Sequence, residues 1–315
     1  MNKRVFLPIL FSALFLLLSC SSESPSFETV DRSQLLSDIE YLASDELAGR
    51  FPGSEGSRMA QAHIEARFQA LGLETIGTGY RHLFDHTNRR SGQEFSDLVN
   101  LIGMITGRDN PDQFIAVIAH YDHLGESDGE IFNGADDNAS GTGGLLAAAR
   151  YFSHNPPKSS LLFIALDAEE QGLGGARYFV ENPALPLNQI TVVVNMDMIS
   201  HNFENELYAV GTYHYPFLKP LLEAVAETAP VQLQFGYDSD EWPQDWTFSS
   251  DHGPFHSNGI PFIYFGVEDH PHYHTPTDTF DRINPDFYVA AVETIIGAIE
   301  EFDRNLPAIR EASGR

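Results

Sequence analysis

The stretch FIAVIAHYDHLGESDGEIFNGADDNASGTG, residues 114–143, decides the fold. It begins as a continuous apolar run, which is typical of a strand buried on both faces of a sheet. The run ends at His120, and Asp122 and His123 follow directly. Asp136 and Asp137 come later in the same stretch, just before a helical segment rich in Gly and Ala. Imidazoles and carboxylates at the end of a buried strand predict a metal site.

The rest of the chain alternates apolar strands with amphipathic helices. Besides 114–119, strands are predicted at 80–85, 98–105, 161–166, 190–195, 207–210, 231–235 and 260–265. Helices are predicted at 33–48, 54–71, 140–152, 172–181, 216–229 and 285–303. This alternation predicts an α/β fold, a single globular domain with a mixed, mostly parallel sheet flanked by helices. With no internal repeat and no linker, the domain is expected to span residues 31–310.

The first residues have the pattern of an export signal. Residues 1–19 have a basic start, Lys3 and Arg4, and an apolar run too short for a membrane span. They end in Leu17-Leu18-Ser19-Cys20, which resembles a bacterial lipobox, and Cys20 is the only cysteine. The prediction is a lipoprotein exported to the periplasm or cell surface and anchored to the membrane at Cys20, with residues 20–30 as a flexible tether. An ordinary signal peptide that contains a cysteine is the alternative.

The chain is strongly acidic, with a formal net charge of −27. Removing the two cations of the signal takes the charge from −27 to −29. A surface of this charge argues against nucleic acid or other polyanions as partners. With one cysteine, the exported domain has no internal disulfide and is held together by packing and metal.

Three predicted strands end in groups that bind metals. His120 and Asp122 follow the first, Glu169 and Glu170 the second, and Asp197 the third. Sites in open α/β sheets form outside the carboxyl ends of the strands, so these groups are expected to converge. Carboxylates so concentrated repel one another unless a cation lies among them. The alternative, that each acid is an ordinary loop residue, would need the same ending to arise independently on three strands.

Five ordered motifs carry a family resemblance. They are His120-x-Asp122, Gly134 to Gly141 (GADDNASG), Glu169-Glu170-x-Gly172-Leu173, Asn195-x-Asp197 and His274-Thr275-Pro276-x-Asp278. They resemble the co-catalytic zinc aminopeptidases of the bacterial leucyl aminopeptidase type, metallopeptidase family 28, whose relatives include glutamate carboxypeptidase and the glutaminyl cyclases. Residues 41–50 (YLASDELAGR) and 250–255 (SDHGPF) also resemble segments of that family. The resemblance covers about residues 33–303.

The resemblance implies a site for two Zn²⁺ ions per chain. His120 and Asp197 would bind one ion, Glu170 and His274 the other, and Asp136 would bridge them. Such a pair of ions grips both the attacking water and the peptide carbonyl. Imidazole and carboxylate ligands suit zinc and leave open positions for water and substrate.

Two further acids have roles implied by the same resemblance. Asp122 would orient His120 through its other ring nitrogen. Glu169 would be the general base, passing a proton from water to the leaving amine. The family also implies a cis peptide bond between adjacent acids, expected at Asp136–Asp137.

Some positions are left open by the sequence. Further histidines could be alternative ligands or loop residues: His123, His252, His270 and His272. Where some family members carry a tyrosine near the developing oxyanion, this chain has Thr247, so the metals, His252 or Tyr237 would take that role. Three aromatic residues could line an apolar pocket or belong to the core: Trp242, Trp246 and Phe248.

The function predicted from these residues is an exported zinc aminopeptidase that hydrolyses N-terminal residues from peptides with a free N-terminus. One alternative is a glutaminyl-cyclase-like acyltransferase with a single working zinc. A carboxypeptidase or dipeptidase is another, and would need a basic group for a free carboxylate. The sequence alone does not show whether any of four candidates for this basic group lies at the site: Arg50, Arg89, Arg90 and Arg282. The third alternative is a lipoprotein that binds a partner without catalysis, although none of the expected metal ligands is missing. Residue preference and oligomeric state are not predicted.

Overall fold

The computed structural model describes Met1 and residues 29–315. The predicted signal, Cys20 and most of the predicted tether lie outside the described residues. Seven α-helices are described: α1 (Arg32–Leu42), α2 (Glu55–Ala70), α3 (Gly141–His154), α4 (Gly174–Glu181), α5 (Lys219–Ala226), α6 (His252–Ser257) and α7 (Pro285–Ser313). Ten strands are described: β1 (Arg81–Thr87), β2 (Glu94–Ile105), β3 (Asn110–His120), β4 (Gly125–Ser127), β5 (Glu130–Phe132), β6 (Ser159–Leu166), β7 (Ile190–Met196), β8 (Glu206–Val210), β9 (Gln232–Phe235) and β10 (Phe262–Gly266).

Eight strands form one mixed sheet in the order β1-β2-β6-β3-β7-β10-β8-β9. Its centre, β6-β3-β7-β10, is parallel throughout, whereas β2 and β8 run antiparallel to their inner neighbours. Along β3, Ile115 and Val117 pack into one apolar cluster, and Ala116 and Ile118 into another on the opposite face. The continuous apolar run therefore reflects burial on both faces, and the predicted α/β class is confirmed.

The structure differs from the sequence-based expectation in local detail. The first predicted helix ends at Leu42 because Ser44 has an extended backbone, and a separate 3₁₀ segment, Asp45–Arg50, follows. Positive φ angles at Ala48, Gly49 and Arg50 prevent the helix from continuing beyond that segment. The final helix continues to Ser313, since Leu306 and Ile309 extend its buried face. The small antiparallel pair β4–β5 was not predicted. No helix in residues 29–315 combines the length and hydropathy needed to cross a membrane.

Arg50 fixes the loops that surround the site. Its side chain is fully buried, and its guanidinium donates to the carbonyls of Tyr121, Asn133 and Gly134 at 2.7–2.9 Å and also to that of Leu42. Burial lowers its pKa to about 10, against the opposing pull of nearby carboxylates. One side chain thus connects three other backbone segments, at Leu42, at Tyr121 and at Asn133–Gly134, so Arg50 has a structural role and is not accessible to substrate.

Arg50→Met is expected to lower the free energy of unfolding by about 3–5 kcal/mol, because it leaves several buried carbonyls without a donor. Urea unfolding measures this loss. Arg58→Met is the control, since the exposed Arg58–Glu55 pair contributes less than about 1 kcal/mol. Equal stability of the two variants would contradict the structural role of Arg50.

Candidate metal centre

The candidate site lies at the carboxyl ends of the four central parallel strands. β3 ends at His120, Asp197 follows β7, and Glu169 and Glu170 follow β6. His274 comes from the loop after β10. Because β6, β3, β7 and β10 are neighbours, these side chains meet at one edge of the sheet, as the three strand endings predicted.

One cluster forms around His120, which is buried. Its Nε2 lies 3.3 Å from Oδ1 of Asp197 and 3.4 Å from Oδ1 of Asp137. The carboxylate of Glu169 completes the group, with potential ligand atoms of His120, Glu169 and Asp197 all within 4.8 Å of one another.

A second cluster forms around Glu170. Nε2 of His274 lies 3.4 Å from Oε1 of Glu170 and 2.9 Å from Oδ2 of Asp137. His123 is fully buried beside them, with Nδ1 2.8 Å from the same Glu170 oxygen and 3.8 Å from Oδ2 of Asp137. His123 therefore lies among the candidate ligands, in contact with Glu170 and Asp137.

Asp137 is the carboxylate shared by the two clusters, and the predicted bridge at Asp136 is wrong. Oδ1 of Asp137 faces His120 and Oδ2 faces His274. Asp136 turns the other way, where its Oδ1 accepts hydrogen bonds from Ser200 N, Ser200 Oγ and His201 N at 2.7–3.0 Å. Its Oδ2 lies 3.0 Å from Nε2 of His270. Both oxygens of Asp136 are thus occupied away from the ligands.

The cis peptide bond shows the same shift of one residue. It joins Asp137 to Asn138, not Asp136 to Asp137 as expected. Asp278 holds the acidic pair, since its two carboxylate oxygens accept the backbone N–H groups of Asp136 (2.9 Å) and Asp137 (3.0 Å). Sequence showed Asp278 in the Thr-Pro-x-Asp motif but gave no role for it.

Asp122 supports both clusters at once. Nδ1 of His120 lies 3.2 Å from the Asp122 carbonyl and 3.7 Å from its carboxylate. The carboxylate also accepts hydrogen bonds from the backbone N–H groups of Glu169 (3.0 Å) and Glu170 (3.3 Å). Asp122 therefore positions the loop after β6 as well as the imidazole on β3.

The arrangement of these atoms fits zinc. Tetrahedral Zn²⁺ with bonds of about 2.0–2.2 Å separates its ligand atoms by roughly 3.3–3.5 Å. Three of the ligand pairs lie at 3.3–3.4 Å. In addition, Oε1 of Glu170 and both ring nitrogens of His123 are buried without a partner in hydrogen-bond geometry among residues 29–315. Unpartnered buried ligand atoms are what a metal would satisfy.

The electrostatics favour a cation in the same place. In the absence of a cation, burial raises the pKa of Glu169 well above its ordinary value. Burial lowers the pKa of His274, but the adjacent carboxylates of Asp137 and Glu170 outweigh this and raise it to about 10. The site therefore disfavours the negative charge of Glu169 and favours the positive charge of His274. A bound metal cation would relieve the repulsion among the carboxylates.

The other histidines belong to supporting structure. His252 is buried between Asn195 and the Trp246 carbonyl, and burial lowers its pKa to about 4. His270 contacts Asp136, and His272 contacts Thr277 through Nδ1 (2.8 Å).

A cavity of about 340 Å³ opens over the clusters. Trp246 lines it, and the exposed Phe248 lines a neighbouring cavity, whereas Trp242 lines neither. Tyr237 is engaged by Glu268, but Tyr273 lines the cavity, stacks on His274 with ring centroids 3.9 Å apart, and has no hydroxyl partner in the described chain. Tyr273 is therefore the hydroxyl available to a substrate there.

Solved structures share the fold at low sequence identity. A zinc aminopeptidase from Bacillus subtilis, BSAP, superimposes with a TM-score of 0.68 at 18% identity, covering 85% of this chain and 94% of that one. A glutaminyl cyclase from Bacteroides thetaiotaomicron, bound to N-acetylhistamine, also gives 0.68 at 18% identity, covering 86% and 98%. The fold is therefore common to both kinds of enzyme.

Sequence comparison assigns the family. The chain is 33% identical to aminopeptidase YwaD of Bacillus subtilis over 216 residues, 64% of this chain and 44% of that protein. It is 32% identical to an aminopeptidase of Pseudomonas aeruginosa over 170 residues, 52% of this chain and 30% of that protein. The matched regions thus span less than half the length of these relatives. The sequence model of peptidase family M28 matches residues 100–299, well over half of the chain. The chain belongs to peptidase family M28.

Proposed function

We propose that this protein is a zinc aminopeptidase that removes N-terminal residues from peptides with two zinc ions. The observation that carries the proposal is that two ligand clusters share Asp137, while Glu169 lies within reach of the His120 cluster, lines the same cavity and is not needed as a ligand. A set of metal ligands suits hydrolysis when a further acid beside it is free to act as the general base.

The proposed ligands follow from the contacts of the two clusters. His120 and Asp197 would hold one zinc, Glu170 and His274 the other, and Asp137 would contribute one oxygen to each. When bound, two zinc ions polarise a peptide carbonyl and lower the pKa of water.

Glu169 would move the proton. A carboxylate oxygen of Glu169 takes a proton from water as the water oxygen bonds to the carbonyl carbon. The same proton then passes to the peptide nitrogen as the C–N bond breaks, which leaves a free amine and a new carboxylic acid, which then loses its proton to solvent. The Asp122 carboxylate holds Glu169 in position for this task, because it accepts the backbone N–H of Glu169 at 3.0 Å.

Acidic groups at the cavity favour a substrate with a free amine. Asp245 and Asp269 line the cavity besides the proposed ligands and base, and no Lys or Arg of the described part of the chain lines it. A cavity of this charge attracts a peptide ammonium group and disfavours a carboxylate in the same position.

The proposed location is outside the cytoplasm, with the domain anchored through a lipid on Cys20. The basic start, the apolar run and the Leu-Leu-Ser-Cys sequence at residues 17–20 support it.

A substrate panel tests the aminopeptidase proposal. Zinc-loaded protein is expected to release p-nitroaniline from leucine p-nitroanilide and leave the N-acetylated analogue intact, because only the first offers an ammonium group. Peptides with N-terminal glutamine are expected to lose that residue without cyclising. Cyclisation without hydrolysis, or cleavage of N-blocked peptides from the C-terminus, would contradict the proposal.

Glu169→Gln is expected to lower kcat by about 10²–10⁴-fold, because the amide cannot accept the proton. Zinc content and thermal unfolding should stay at wild-type values. Glu181→Gln makes the same chemical change at an exposed position and should leave activity unchanged. A Glu169→Gln enzyme with wild-type activity would rule out the proposed base.

Asp137→Asn and Asp136→Asn form a matched pair at adjacent positions. Asp137→Asn is expected to reduce bound zinc below two per chain in equilibrium dialysis and to abolish hydrolysis, because an amide is a poor bridging ligand. Asp136→Asn should keep both zinc ions, because its carboxylate contacts backbone, Ser200 and His270. The opposite ranking would restore Asp136 as the bridge.

A further inference from the structure

A second cavity of about 500 Å³ adjoins the candidate metal centre. It shares Glu169, Glu170 and His274 with the first cavity, so a molecule bound over the metal ligands can extend into it. The turn between β1 and β2 and the segment at the start of α4 supply much of its remaining wall.

This second cavity is lined by three arginines: Arg89, Arg90 and Arg177. They are three of only 18 cationic residues in a chain that has 45 acidic ones. Seven other arginines pair with carboxylates: Arg32, Arg58, Arg67, Arg81, Arg150, Arg282 and Arg304. None of the three cavity arginines has a carboxylate partner within the described part of the chain. Their charge is therefore available to a bound anion.

The backbone segments that carry the arginines are tied to the loop of the metal ligands. Asn88 Nδ2 donates to Oε1 of Gln171 (3.1 Å), and Nε2 of His86 lies 2.8 Å from the Gln171 carbonyl. Gln171 follows the ligand Glu170 directly in the chain. Asn88 also accepts from the N–H of Arg90 (2.9 Å), and Arg177 Nε donates to the Gly172 carbonyl (2.9 Å). The turn and α4 are thus both tied to the loop that carries Glu169 and Glu170.

The two cavities differ in charge. Among the described residues, the first adds Asp245 and Asp269 to the shared groups and no Lys or Arg, whereas the second adds three arginines and no further acid. A short peptide has the matching polarity, with an ammonium group at one end and a carboxylate at the other. Guanidinium groups bind carboxylates well because their N–H donors match the two oxygens.

We propose that Arg89, Arg90 and Arg177 form a subsite for a carboxylate on the leaving side of the substrate. This deepens the proposed function and rests on it. The carboxylate is the free C-terminus of a short peptide or an acidic side chain beyond the cleaved bond. A C-terminus reaches a cavity adjacent to the metal centre only when the peptide is short, so the subsite favours short peptides.

Hydrolysis of matched substrates tests the subsite on the zinc-loaded enzyme. The substrates are Ala-Ala-Ala, its C-terminal amide, the amide of Ala-Glu-Ala, and alanine p-nitroanilide. Arg89→Ala/Arg90→Ala is expected to lower kcat/KM for Ala-Ala-Ala about tenfold, in line with the loss of two partly exposed charge contacts. Rates on Ala-Ala-Ala amide and on the anilide should not change. Arg177→Ala should act in the same direction.

Arg304→Ala is the matched control, because Arg304 is exposed, pairs with Glu301 and lines a different cavity. It should leave all four rates unchanged. Arg89→Lys/Arg90→Lys should recover part of the loss. If the variant affects only the amide of Ala-Glu-Ala, the subsite stands with an acidic side chain as its ligand. Equal wild-type rates on Ala-Ala-Ala and both amides, or equal losses on every substrate, would overturn it.

Measuring peptide binding without turnover tests the subsite independently of the proposed function. Zinc-loaded Glu169→Gln protein, titrated calorimetrically with Ala-Ala-Ala and with its amide, reports the subsite without turnover. Adding the Arg89→Ala/Arg90→Ala change should weaken binding of the free peptide about tenfold and leave the amide unaffected. Identical affinity for both peptides would contradict the subsite even if the enzyme is an aminopeptidase. Failure to hydrolyse any substrate would instead contradict the proposed function.

Discussion

The central constraint on this structure is the crowding of carboxylates at one edge of a buried sheet. Asp137, Glu169, Glu170 and Asp197 meet there around one cavity. Two further acids hold this group in place by accepting its backbone N–H groups: Asp278 accepts from Asp137, and Asp122 accepts from Glu169 and Glu170. These hydrogen bonds position the backbone and leave negative charge on the carboxylates that face the cavity, and zinc is the natural partner for that charge.

The fold and the place of the site could be predicted from the sequence because both follow from strong local patterns. Apolar runs of strand length, each ending in a polar residue, determine which strands are buried and where their ends meet. His120, Glu170 and Asp197 come together where that logic placed them, and His274, which only the family resemblance indicated, joins them from the loop after β10. Helix ends and the short β4–β5 pair escaped prediction because positive φ angles and weak two-strand pairing leave little trace in hydropathy.

The choice between Asp136 and Asp137 could not be made from sequence. The two residues are chemically identical neighbours, and their roles depend on which way each side chain turns. That direction is set by donors far along the chain, Ser200 and His201 for Asp136 and the two histidines for Asp137. The roles of the arginines were equally hidden. Arg50 lies in the core and Arg89 lines a cavity, and only tertiary contacts distinguish them.

The proposed two-zinc site depends most on the Asp137 carboxylate lying between the two ions. Anomalous diffraction at the zinc edge, from crystals of zinc-loaded protein, measures this directly. Two peaks about 3.5–4 Å apart are expected, one on each side of the Asp137 carboxylate. A single peak, or a pair of peaks bridged by Asp136, would contradict it.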